Sequence, residues 1–156
     1  MNLSAFGDII DKPAEDQFKS KTGVISESGS YGKIFSRVLQ NIVQTKLLHW
    51  QSHMYGQHKA LDELFDGIID LGDQLAESVM GKYGRPILNE EECCLRLKNF
   101  NDPRSGDLSD FMNHLYECYT KECKSLFTAE KDPEILNIID EIIGLIDKTK
   151  YLLTLR

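Results

Sequence analysis

Stretches of this chain place apolar residues three or four positions apart, and none alternates apolar with polar residues over strand length. Side chains so spaced fall on one stripe of an α-helix, and each stripe must be covered by another element. The first stretch runs from about Tyr31 and aligns Ile34, Val38, Ile42, Thr45 and His49. The second, from about Gly56 to Lys82, aligns Leu61, Phe65, Ile68, Gly72, Leu75 and Val79, and "YGRP" ends it. Asp107 suits the N-cap of a third helix, whose stripe is Met112, Tyr116, Tyr119, Cys123 and Leu126. Asp132 before Pro133 is a sharper start signal, because proline fits the first helical position. The fourth stripe is Ile135, Ile139, Ile142, Ile146 and Leu153.

Helices of roughly 20 residues are ~30 Å long, and one apolar stripe on each is what a four-helix bundle needs. The expected class is therefore all-α. The segment from Arg85 to Asp107, "RPILNEEECCLRLKNFNDPRSGD", is long enough to travel the length of a bundle. That suits a ferritin-like four-helix bundle with a long crossover connection between helices 2 and 3. A short helix is expected within the connection, around Glu90 to Leu97. A chain of 156 residues accommodates one domain. Residues 1–30, which contain "SESGS", read as a polar leader, and 31–156 as the bundle.

Composition narrows the partners. Apolar residues at 41% and charged residues at 28% describe a globular chain. No apolar run approaches the ~18 residues that cross a bilayer, and the first residues, "MNLSAFGDIIDKPAED", lack a basic region ahead of a hydrophobic one. No membrane, no export and a cytoplasmic location, bacterial or in a phage-infected host, are expected. The net charge is −7, and Lys and Arg form no cluster, so nucleic acid is a disfavoured partner. Cys93, Cys94, Cys118 and Cys123 have no zinc-finger spacing and read as reduced thiols.

The chemistry concentrates in "LHWQSHMYGQHKALDELFDGIIDLGDQLAE", from Leu48 to Glu77. His58, Asp62, Asp66, Asp70, Asp73 and Glu77 fall within an arc of about 120° on the second helix. A solvated acidic face is the plainer explanation of such a run. The histidines tilt the balance toward metal. His58 with Asp62, and Asp73 with Glu77, are i,i+4 pairs, each able to present two donors to one ion. Imidazole mixed with carboxylate suits iron, manganese or zinc, and His49 adds an imidazole at the end of the first helix. Asp62 and Asp73 are, however, ~16 Å apart along a helix, too far to share an ion. Two copies packed antiparallel about a two-fold axis would set His58 and Asp62 of one opposite Asp73 and Glu77 of the other. The sequence has no Glu-x-x-His, which disfavours a dinuclear iron site inside one bundle.

"HW" at His49 and Trp50, "HKALDE" with His58 and Asp62, and "DQLAE" with Asp73 and Glu77 resemble the Dps family of mini-ferritins. "HWQ", "YGQHKALDE" and "GKYGR" are also similar to a divergent branch of ferritin-like proteins of tailed bacteriophages. The resemblance implies ferroxidase ligands His49, His58 and Asp62 from one subunit and Asp73 and Glu77 from its partner. It further implies a homo-oligomer, a dimer at least, closing into a shell of twelve. Three features depart from the family pattern. His49 and His58 are closer in sequence than the family spacing, Ser78 stands where an arginine is common, and His53 has no counterpart. Trp50 reads as a packing residue, although the family's tryptophan beside the site is thought to quench oxidising intermediates. His53 reads as an exposed turn histidine. The lysine-rich tails with which some members bind DNA are absent: Lys12, Lys19 and Lys21 stand among Asp8, Asp11, Glu15 and Asp16.

The expected function is oxidation of Fe(II) by hydrogen peroxide or dioxygen between two-fold-related subunits, with iron storage and protection from peroxide. A ferritin-like structural or virion-associated scaffold without metal turnover is the alternative. A zinc- or manganese-stabilised dimer is a third. Asp66 and Asp70 lie near the middle of the proposed contact and require Lys59, water or cations there.

Overall fold

The computed structural model describes residues 25–86, 88, 92–99 and 107–155. Among them the regular structure is helical throughout, with no strand. Helix α1 spans Ile25–Gln51, α2 Tyr55–Tyr83, α3 Asp107–Glu117 and α4 Pro133–Leu152. The expected stripes are the buried faces: Ile34, Val38, Thr45 and His49 on α1, Leu61, Ile68, Gly72, Leu75 and Val79 on α2, and Ile135, Ile139, Ile142 and Ile146 on α4. Phe65 is half-buried, with the Lys46 ammonium 4.2 Å above its ring.

Contacts at both ends fix the helix directions. Tyr31 of α1 stacks on Tyr83 of α2 with centroids 4.2 Å apart, while His49 stacks on His58 at 3.9 Å, so α1 and α2 are antiparallel. Lys82 bonds to Glu134 at 2.9 Å and Lys148 to Glu63 at 3.2 Å, so α2 and α4 are antiparallel. Asn41 meets Cys118, Arg37 meets Glu122, and Tyr31 stacks near Phe127, so α1 also runs antiparallel to the turns that follow α3. Helices α1 and α2 approach closely at Gly72, where an added Cβ would stand 2.8 Å from Val38 Cγ1.

Gly84 ends α2 with φ 87°, a left-handed conformation that glycine adopts without strain, and its N–H bonds to the Met80 carbonyl. Beyond it, the described stretch around Arg96 and Lys98 lies along α1 and is held there by side-chain amides. Gln40 Nε2 donates to the Arg96 carbonyl at 2.6 Å, and its Oε1 accepts the Arg96 N–H at 2.7 Å. Gln44 pairs with both main-chain groups of Lys98 in the same way, at 2.9 and 2.8 Å.

Several sequence expectations are corrected. Helix α1 begins at Ile25 rather than Tyr31, so the end of the expected leader is helical; residues 1–24 lie outside the described residues. The helix expected around Glu90 to Leu97 is replaced over residues 92–99 by a turn and irregular chain, because this backbone bonds to Gln40 and Gln44 instead of to itself; residues 89–91 lie outside the described residues. The third helical stretch is not one continuous α-helix. After Glu117 it widens into a π-helical turn, Cys118–Cys123, and then tightens to a 3₁₀ turn, Lys124–Leu126. Leu153 follows the end of α4.

Candidate functional site

The connection from α1 to α2 is only Ser52 to Met54, and it folds back on the end of α1. The Ser52 hydroxyl donates to the His49 carbonyl at 2.7 Å, satisfying a group that the helix end leaves without a partner. This short turn brings His49 and His58 together despite their close sequence spacing. His49 is 7% exposed, and its ring packs on that of His58 at an angle of 32°.

The hydrogen bonds of the two rings are reciprocal. His49 Nδ1 lies 3.2 Å from the His58 carbonyl, and His58 Nδ1 lies 3.2 Å from the His49 carbonyl and 3.2 Å from Ser52 Oγ. A carbonyl can only accept, so each neutral ring carries its proton on Nδ1 and keeps its lone pair at Nε2. An imidazole anchored through Nδ1–H to a main-chain carbonyl is the form in which histidine presents Nε2 to a metal. Asp62 adds a carboxylate, with Oδ1 3.7 Å from His49 Nδ1 and Oδ2 3.6 Å from Lys59 Nζ. Lys59 is thus engaged by Asp62.

His49, His58 and Asp62 are therefore neighbours. Asp73 and Glu77 are exposed and lie further along α2, as are the exposed Asp66 and Asp70. Among the described residues, no three His, Cys, Asp or Glu side chains of one chain are placed to hold a metal ion. His53 is exposed, as expected of a turn residue. Trp50, expected to pack, is 70% exposed: it directly follows the buried His49, and the stripe that ends at His49 turns Trp50 outward.

A second polar centre lies at the opposite end of α1 and α2. Asp132 occupies the N-cap of α4, but its side chain makes no cap hydrogen bond. Its carboxylate is buried and accepts bonds from the Tyr83 hydroxyl, from Lys82 Nζ at 2.9 Å and from the Thr128 N–H at 3.1 Å. Burial opposes the charge, yet the Tyr83, Thr128 and Lys82 donors outweigh it and hold the Asp132 carboxyl below the usual carboxylate range. The bond to Asp132, aided by burial, holds the Tyr83 phenol well above its ordinary value. The sequence signalled the cap but not these partners, which come from the far end of α2.

Residues 49–153 match a family described as a family of unknown function, DUF5856. The chain belongs to the DUF5856 family. The matched segment contains all the candidate donors, from His49 to Glu77. A similar protein is the uncharacterized 14.6 kDa protein in the mobD-ri intergenic region of Enterobacteria phage T4. It is 28% identical over 107 residues, which cover 69% of this chain and 74% of that protein. No solved structure matches the chain.

The likeness to Dps is corrected by this result. The match is to DUF5856 and not to a ferritin-type family, and the similar protein is an uncharacterized phage protein. The resemblance rested on short patterns of His, Asp and Glu at helical spacing, which an amphipathic helix of another family presents equally well. The shell of twelve subunits rested on that resemblance and goes with it. Among the described residues no helix is long and apolar enough to cross a membrane.

Proposed function

We propose that two copies of the chain bind Fe(II) between them and oxidise it, with hydrogen peroxide or dioxygen accepting the electrons. The observation that carries this reading is the reciprocal anchoring of His49 and His58. Each Nδ1 faces the other residue's carbonyl, which leaves the Nε2 lone pairs for a ligand, and Asp62 approaches the same pair with Oδ1 3.7 Å from His49 Nδ1. One chain offers an incomplete donor set. Antiparallel packing of α2 on α2 would bring Asp73 and Glu77 of a second copy opposite Asp62 and His58, supplying carboxylates that favour Fe(III) as charge accumulates. The fold that accompanies this reading is a ferritin-like four-helix bundle. It is supported by the antiparallel pairs α1 with α2 and α2 with α4, and by a connection that lies along α1 around Arg96 and Lys98.

A second reading, a helical structural protein without metal turnover, draws on the same bonds. The stacked histidines and Ser52 also serve to close a tight turn between α1 and α2. Anaerobic Fe(II) titration of the native protein followed by peroxide separates the two. The first reading expects saturable binding and oxidation faster than the protein-free rate, both lost in the variant Asp73→Asn with Glu77→Gln while helicity is kept. Iron binding no greater than that of a control protein gives the structural reading the lead.

A further inference from the structure

The π-helical turn Cys118–Cys123 carries a cysteine at each end, and both are buried free thiols. Residues five apart on an α-helix lie about 140° apart around its axis and cannot face each other. A π-helical turn bonds residue i to i+5 and brings the two toward the same side of the helix. The widening of the helix at this point thus places the two cysteines on one side of it. A second helix contributes as well: the Asn41 side-chain amide of α1, itself 1% exposed, donates to Cys118 Sγ at 3.6 Å.

We propose that Cys118 and Cys123 are a redox-active pair that a hydroperoxide converts to an intrachain disulfide. The two sulfurs are unequal. The neighbouring Cys123 and the Asn41 amide draw the Cys118 thiol below its ordinary value, whereas the neighbouring Cys118 and burial push the Cys123 thiol up. A surface cavity of about 440 Å³ is lined by Cys123, with Lys33, Arg37 and Glu122 also on its wall, so a small oxidant enters at the Cys123 end of the pair. The thiolate of the pair attacks one peroxide oxygen, the O–O bond breaks, and the other oxygen leaves as water or an alcohol after taking a proton. The resulting sulfenic acid is attacked by the other sulfur, the S–O bond breaks, and hydroxide leaves as water with the remaining thiol proton. Two thiols give up two electrons and two protons, and the hydroperoxide accepts them. A cellular dithiol restores the reduced pair by exchange. This inference is independent of iron binding at His49 and His58.

The test uses the full chain with Cys93→Ser and Cys94→Ser, which leaves Cys118 and Cys123 as its only cysteines. The folded protein is treated with hydrogen peroxide, quenched, denatured, alkylated and weighed, and native wild-type protein is mapped in parallel by non-reducing peptide analysis. The expected result is a species that has lost two hydrogens, resists alkylation, recovers both sites with a dithiol reductant, and yields a Cys118–Cys123 linked peptide from wild type. Two alkylatable thiols after an exposure that fully oxidises glutathione would overturn the proposal. So would stepwise addition of oxygen without a cross-link.

Discussion

Replacing Gly72 by alanine adds one methyl group to the middle of α2, and the structure sets both the gain and the cost. The gain is helix propensity, about 1 kcal/mol for glycine to alanine in a helix interior. The cost arises at Val38, whose Cγ1 would stand 2.8 Å from the new Cβ, with Ile42 Cδ1 at 3.6 Å. Carbon atoms prefer about 3.5–4.0 Å, so Val38 must yield by about 1 Å. Val38 is buried and branched at Cβ, with one strongly preferred rotamer in a helix, so yielding means separating α1 from α2. Overpacking of this kind costs about 1–3 kcal/mol, and the balance is a net loss of up to about 2 kcal/mol. Gly144 is the internal control, since nothing lies within 4 Å of a Cβ added there. Gly144→Ala should gain up to about 1 kcal/mol, and for a chain of this length each kcal/mol moves Tm by about 2–4 °C. Urea unfolding should show the two midpoints moving in opposite directions at a common slope. Adding Val38→Ala to Gly72→Ala should lose less than the two separate losses combined. A Gly72→Ala protein as stable as Gly144→Ala would refute the close approach of α1 and α2 at this point.

Asp132→Ala should cost about 1–3 kcal/mol, because it strands the Tyr83 hydroxyl and the Thr128 N–H, and denaturant unfolding checks it. The folded Asp132 carboxyl titrates below its unfolded value. Its contribution is therefore complete above the ordinary aspartate range and vanishes as pH falls through the depressed folded value, so the difference between wild type and Asp132→Asn should shrink on acidification. Lys148→Ala should change stability by less than about 1 kcal/mol, since its pair with Glu63 is more than half exposed on both sides. If two copies share a metal through Asp73 and Glu77, a chelator should shift the native assembly toward a smaller species in light scattering. The same treatment should leave the Asp73→Asn, Glu77→Gln variant unchanged.

What the sequence disclosed follows from where the physics is local. Stripes such as Leu61, Ile68, Leu75 and Val79 are set by helix periodicity alone, and they are buried as their spacing implies. The Gly84 stop and the Pro133 start depend on one residue's own backbone and were equally legible. The π-helical turn was not, because a straight α-helix was the assumption that aligned Tyr119, Cys123 and Leu126 in the first place. Over residues 92–97 the expected helix failed for a related reason: local helix propensity yielded to hydrogen bonds from Gln40 and Gln44, more than 50 residues earlier in the chain. At the candidate site, the nearness of His49 to His58 and Asp62 was readable from the turn, while the reciprocal ring-to-carbonyl bonds that fix each imidazole's proton were not.

The two glutamine clamps on the connection act as a length gauge. Gln40 and Gln44 are four residues apart on a helix, a rise of ~6 Å, while Arg96 and Lys98 are two apart, and two residues of extended chain span ~6.6–6.8 Å. The two repeats nearly coincide, so a helix can grip an extended segment at successive points without distorting either partner. Each clamp touches only main-chain N–H and C=O groups, and so is indifferent to which side chains the connection carries at Arg96 and Lys98. A slip of one residue would turn the gripped N–H and C=O groups away from α1. Side chains at Arg96 and Lys98 are therefore free to drift between related chains, while the spacing of two residues between the gripped main-chain groups is not.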